Sequence, residues 1–209
     1  SEANIERALE WVVSYASLYN VVSVNLSLGG GNYNYTTTSS ISSELLALKN
    51  QGVFVCAASG NSFHGFNSNQ GIAWPSSENN IFSVGSVWTS DMGGTWTFPY
   101  KKKDIFGNDV IDTAKNYSTD TDMINVGSQR SATKLDIFSP GALIYSSVNG
   151  VGNYDWNNGT SMASPQVAGF ICLAQEAAKD TLGRNLTVDE LNNLIKDNAD
   201  TIYDGDDED

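Results

Sequence analysis

The feature that most restricts the fold is a switch between two hydrophobic periods, repeated along the first part of the chain. Ile5, Ala8, Leu9, Val12 and Ala16 recur at helical spacing over a segment running to about Leu18. The β-branched run of Val21, Val22, Ser23, Val24, Asn25, Leu26 and Ser27 then predicts a strand, and Leu28 with Gly29, Gly30 and Gly31 predicts a flexible turn after it. Ile41, Leu45 and Leu48 mark a second helix, and 53–58 (Val53, Phe54, Val55, Cys56, Ala57, Ala58) a second strand. Helices and strands that alternate in this way bury their apolar sides by packing helices on a parallel sheet through right-handed crossovers. The expected class is α/β, in one domain or less: 209 residues, 40% of them hydrophobic, can enclose one sizeable core.

Asn158, Gly159, Thr160, Ser161, Met162, Ala163, Ser164 and Pro165 place a serine among small residues, directly ahead of the apolar run 167–174. This is a helix entrance with a hydroxyl at its mouth. Small neighbours admit a substrate carbonyl, and the unpaired N–H groups and positive end of the helix dipole stabilise negative charge there. Pro165 suits the first turn. Because the run is apolar all round, the helix is expected to be buried. A serine so placed is either a nucleophile or an ordinary N-cap. The string from Gly159 to Gly169 resembles the nucleophile signature of the subtilisin-like serine peptidases, with Gln166 where many members carry histidine.

That resemblance implies a three-layer αβα fold with a mainly parallel sheet, and an endopeptidase working through an acyl-enzyme on Ser161. Ser59, Gly60 and Asn61 close the second strand at its carboxyl end, where open parallel sheets bind ligands. In isolation Asn61 reads as a turn former. By resemblance its amide donates to the oxyanion, Ser27, Leu28 and Gly29 offer a backbone edge to extended substrate, and Ala58, Ser59 and Gly60 line the opposite pocket wall. The family pattern also makes 81–87 a third strand and 135–141 a fourth. Between them, 88–128 exceeds the corresponding family connection and is expected as an inserted surface excursion, a solvated loop with a short hairpin. A calcium site, substrate rim or partner contact are its functional alternatives. After the nucleophile helix, Thr187 and Glu190 form a capping box for a helix with Val188, Leu191, Leu194 and Ile195 inward.

The chemistry needs a base, and here the chain departs from the pattern. The single histidine, His64, lies three residues after Asn61, on a loop expected to rim the pocket rather than supply the base. The family's Asp-x-Gly and His-Gly-x-x-Val-Ala-Gly motifs are absent. The chain therefore resembles about the last two-thirds of a catalytic domain, truncated at its N-terminus and nearly inert alone. The rival reading is a pseudopeptidase that binds protein without cutting it. A Gly-x-Ser-x-Gly nucleophile elbow is set aside because no histidine follows Ser161, and because Asn157 and Asn158 do not read as a strand end.

The remaining expectations concern partners. A net charge of -13 repels phosphate backbones, so nucleic acid is not expected. No segment has the length or layout of a membrane span or a signal peptide. The expected partners are a polypeptide substrate and the missing N-terminal segment, and by resemblance the setting is extracellular. No cofactor is needed for the chemistry, with room left for structural calcium. Cys56 and Cys172 read as buried thiols, and the acidic run 204–209 as a solvated tail. Sequons at Asn25, Asn34, Asn116, Asn158 and Asn185 read as accidental.

Overall fold

The computed structural model describes residues 1–150 and 152–202; the acidic run 204–209 lies outside them. Helix α1 (Glu2–Tyr19) leads to strand β1 (Ser23–Leu26), and α2 (Ser42–Asn50) to β3 (Phe54–Ala58). Strands β1, β3, β5 (Phe82–Val87) and β8 (Ile137–Pro140) form one parallel sheet in that order. Val24 pairs with Val55, Ala57 with Ser83 and Val84 with Ile137. Every residue of β3 and β5 is buried, as strands covered on both faces of a parallel sheet must be.

Alternation of side chains across β3 builds two cores. Val55 and Ala57 face Leu9, Ala16, Ile41, Leu45 and Leu48 of the α1/α2 side. Phe54 and Cys56 face the other side, against Ala163, Val167 and Ile171 of α3 (Thr160–Leu182) and Leu191 and Ile195 of α4 (Val188–Asp197). The layers are thus helix, sheet, helix. Helix α4 opens with the expected capping box, and Arg184 together with the Thr187 N–H pulls the Glu190 carboxyl down to about 2.

Several expectations need correction. Ala8 and Leu194 are exposed, and Val13 packs on the α1 side in place of Ala8. The glycine turn continues as β2 (Gly30–Tyr33), paired antiparallel with β4 (Ile72–Trp74). Helix α3 buries one stripe only: Phe170 is 47% and Leu173 67% exposed. A helix meets a flat sheet along one stripe, and no other described element covers this helix's far side. Cys172 sits on that bare side and is exposed, whereas Cys56 is buried and its thiol is pushed up to about 12 by burial.

The 88–128 segment carries the expected hairpin, but a longer one with a buried base. It forms a hairpin of two eight-residue strands, β6 (Trp96–Lys103) and β7 (Asp109–Asn116), with its base in the core. Trp88 is 1% exposed and packs on Trp96 and Phe98. Buried Asn116 accepts from Trp88 Nε1 (3.1 Å) and the Val126 N–H (2.9 Å) and donates to the Ile124 carbonyl (3.2 Å).

Candidate active site

The carboxyl ends of β1 and β3 and the N-terminus of α3 converge. Strand β10 (Tyr154–Asn157), in an antiparallel hairpin with β9 (Ile144–Ser147), delivers the chain to Gly159, whose N–H donates to the Gly141 carbonyl at 2.8 Å. Asn157 is therefore a strand end, contrary to the expectation. Its strand lies outside the parallel sheet, so it does not build a nucleophile elbow. Gly159 caps α3 at φ 134°, and a Cβ there would come within 3.0 Å of the Asn61 amide. Only glycine lets Asn61 approach this closely.

Ser161 is the second residue of α3, in the turn whose N–H groups lack intrahelical acceptors. Asn61 Oδ1 accepts from Thr160 N (2.8 Å) and Thr160 Oγ1 (3.0 Å). Two donors on one end of the amide identify that end as the oxygen and leave Nδ2 for an acceptor in the cleft. That cleft, about 300 Å³, is lined by Leu28, Gly29, Ala58, Gly60, Asn61 and Ser161 among the residues singled out in the sequence. Ser27 contributes differently, donating from Oγ to the Ser161 carbonyl at 2.8 Å. Ser59 is fully buried and donates to the Gln129 carbonyl at 2.7 Å.

Residues the sequence did not single out complete the arrangement. Thr160 joins both sides, bonded to Asn61 and accepting from the Gly60 N–H at 3.2 Å. Gln129 spans the walls: its Nε2 donates to the Gly31 carbonyl (3.0 Å) and its N–H to the Gly60 carbonyl (2.8 Å). Asn25 and Ser164 extend the Ser27 contact. Ser164 Oγ donates to Asn25 Oδ1 at 2.7 Å, and Asn25 Nδ2 donates to Ser27 Oγ at 2.9 Å. The serine turn is thereby tied to the end of β1. Asn25, in the predicted strand, is exposed at its edge. Its signal was a lone amide between Val24 and Leu26.

His64 lies on a 3-10 turn, His64–Phe66, beside the rings of Phe63 and Tyr100, with Nδ1 3.3 Å from Ser68 Oγ. It is not among the residues lining the cleft, whereas Phe66 is. Among the described residues no group of three or more His, Cys, Asp or Glu side chains could hold a metal ion, so they offer calcium no carboxylate cluster. No helix among them is long and apolar enough to cross a membrane.

A side chain at Gly29 would meet backbone, its Cβ lying 2.6 Å from the Trp74 carbonyl of β4. Gly30 has nothing within 4 Å. Gly29→Val should therefore destabilise the fold by about 1–3 kcal/mol, the usual cost of overpacking, with Gly30→Val within about 0.5 kcal/mol of the parent. Thermal denaturation of the two variants decides it; equal midpoints contradict the geometry.

The chain is 30% identical over 174 residues to an extracellular basic protease of Dichelobacter nodosus, covering 82% of this chain and 23% of that protein. It is 27% identical over 169 residues to subtilisin NAT of Bacillus subtilis subsp. natto, covering 81% of this chain and 33% of that protein. The chain thus spans about a quarter to a third of the curated relatives. The solved structure of sphericase superposes with a TM-score of 0.61 at 22% identity, over 95% of this chain and 56% of that one, a likeness of fold. With a parallel sheet that presents a serine at a helix mouth, and a subtilase family model matching residues 1–208, the chain belongs to the subtilase family of serine peptidases.

Proposed function

We propose that the chain supplies the nucleophile, oxyanion donors and substrate pocket of an endopeptidase that acts on polypeptides outside the cell. The observation that carries this reading is the Asn61 amide, whose oxygen is held by Thr160 while its Nδ2 is left for the cleft that Ser161 also lines. Ser161 Oγ attacks the scissile carbonyl, and the oxygen that gains negative charge is held by Asn61 Nδ2 and the Ser161 N–H. Collapse of that intermediate expels the amine and leaves the acyl group on Ser161; water then releases the acid.

Both proton transfers require a base within reach of Oγ, oriented by a carboxylate. His64 packs on Tyr100 at the rim, so in this reading the base comes from polypeptide outside this chain. Two features suit its docking. Strand β1 pairs only with β3 among the described residues, and α3 leaves Phe170 and Leu173 uncovered beside it. The extracellular setting rests on the relative named for it.

The test is made on this chain joined to the polypeptide that would supply the base, the longer protein of the experiments below. A fluorophosphonate should block its hydrolysis of peptides, and mass spectrometry should place the adduct on Ser161. Blocked hydrolysis with the adduct elsewhere, or hydrolysis indifferent to the reagent, would rule the reading out.

A further inference from the structure

Hairpin β6–β7 packs along the loop that forms one side of the cleft. Its inner face, through Phe98 and Ala114, belongs to the fold's interior, but its tip does not. Ile105 is 93% and Phe106 81% exposed, the two most exposed large apolar side chains among the described residues. They are held in a fixed turn. Asp104 accepts from the N–H groups of Phe106 (2.8 Å) and Asn108 (2.9 Å) and from Asn108 Nδ2 (3.1 Å), bonds that keep its carboxyl below the usual range. Ion pairs of Lys102 with Asp112 and of Lys103 with Asp109 stiffen the strands below. Local hydrogen bonding thus presents an isoleucine and a phenylalanine to solvent where a polar turn would serve the hairpin equally well.

The outer face continues this surface. With side chains alternating along each strand, Lys101 and Lys103 of β6 lie on the same side as Asp109, Ile111 and Lys115 of β7, and Ile111 is 65% exposed. Three lysines against one aspartate, around apolar side chains, stand out on a chain of net charge -13. The surface is complementary to an acidic segment that carries apolar residues.

Midway along β6 the hairpin packs against the pocket loop. The Tyr100 ring lies 5.5 Å from that of His64, and the Lys101 carbonyl lies 2.8 Å from where a Cβ on Gly65 would sit, so glycine permits the contact. Phe63 N donates to the Gly127 carbonyl at 3.3 Å as the chain returns from the excursion. Asn61 and Phe66, at either end of this loop, both line the cleft. From Tyr100 the strand and turn reach at most about 16 Å to Ile105 at about 3.3 Å per residue, a distance that an unfolded polypeptide seated in the cleft covers with about five more extended residues.

We propose that hairpin β6–β7 is a docking arm for the polypeptide substrate, its Ile105–Phe106 tip and lysine-rich outer face engaging an unfolded, acidic, apolar segment remote from the scissile bond. This rests on the peptidase reading above. The occupant follows from continuity: the arm packs on the loop that walls the cleft, so a chain that leaves the cleft on this side meets it. A lipid surface fits less well, because two side chains bury little area and the chain's net charge opposes anionic headgroups.

The experiment uses the longer protein and the double variant Ile105→Ser/Phe106→Ser, whose side chains already lie in solvent. Hydrolysis of a six-residue peptide is compared with that of α-casein, an acidic unfolded polypeptide. We expect kcat/KM for casein to fall about tenfold through KM, and that for the peptide to stay within twofold. Casein unaffected, or both substrates impaired alike, overturns the proposal; the latter would make the hairpin a prop for the pocket loop. Sedimentation with phosphatidylcholine vesicles that is lost in the variant would also overturn it, in favour of a membrane. Should the parent protein cleave neither substrate, the peptidase reading fails, and casein binding by Ser161→Ala protein, measured by fluorescence anisotropy with and without the tip substitutions, decides the docking claim separately.

Discussion

Exposed to excess fluorophosphonate, the isolated chain should label at Ser161 at least about a thousandfold more slowly than the same chain co-expressed with an upstream segment bearing the aspartate and histidine motifs. A serine hydroxyl is a poor nucleophile until a base accepts its proton as the bond forms, and in the proposed reading the helix mouth and Asn61 stabilise charge on the acyl oxygen without removing that proton. In subtilisin the loss of the nucleophile or the base costs about 10⁶ in turnover, while binding and oxyanion stabilisation alone retain about 10³–10⁴ over water, which sets the size of the expected gap. Ser161→Ala should abolish labelling in both preparations. Rapid stoichiometric labelling of the isolated chain, absent in that variant, would mean that a group within the chain serves as base and would sink the idea. No labelling even in the completed protein would instead favour a domain that binds polypeptides without cutting them.

How legible all this is in the sequence depends on the range of the interaction responsible. The layers of the fold could be read because Leu9, Leu45, Val55 and Ile171 obey local periods, and a period records which way a side chain faces. Ser161 and Asn61 could be read because each stands in a short string that resembles a family's. Contacts between distant strings were not readable. Nothing in the order of residues pairs Thr160 with Asn61, or joins Ser164 to Ser27 through Asn25; the sheet brings these together at the ends of β1 and β3. The hairpin was expected, but its two eight-residue strands and buried base were not, for a different reason. Trp96, Phe98 and Tyr100 alternate with polar residues and Pro99, a strand signal obscured by three consecutive lysines, which usually mark a solvated stretch. The far face of α3 is the converse case, where an apolar run promised burial that needs a further layer outside the described residues.

Asn61 also allows one side chain's two ends to be tested apart. In the longer protein, Asn61→Ala should lower kcat about 10²–10³-fold with KM little changed, the effect known for the equivalent asparagine of subtilisin rather than one derived from this geometry. The same change removes the acceptor for Thr160 N and Oγ1, and Thr160 is fully buried, so an unpaired N–H would add about 1–3 kcal/mol of destabilisation. Asn61→Asp separates the two effects. It keeps an oxygen for Thr160 but replaces the donor with a second oxygen, and a carboxylate facing the developing oxyanion repels it. The aspartate variant should therefore melt closer to the parent than the alanine variant does, while losing at least as much kcat. If Asn61→Asp restored kcat along with stability, the role of Asn61 would be to hold Thr160 in place, and the oxyanion would have to find its donors along the first turn of α3.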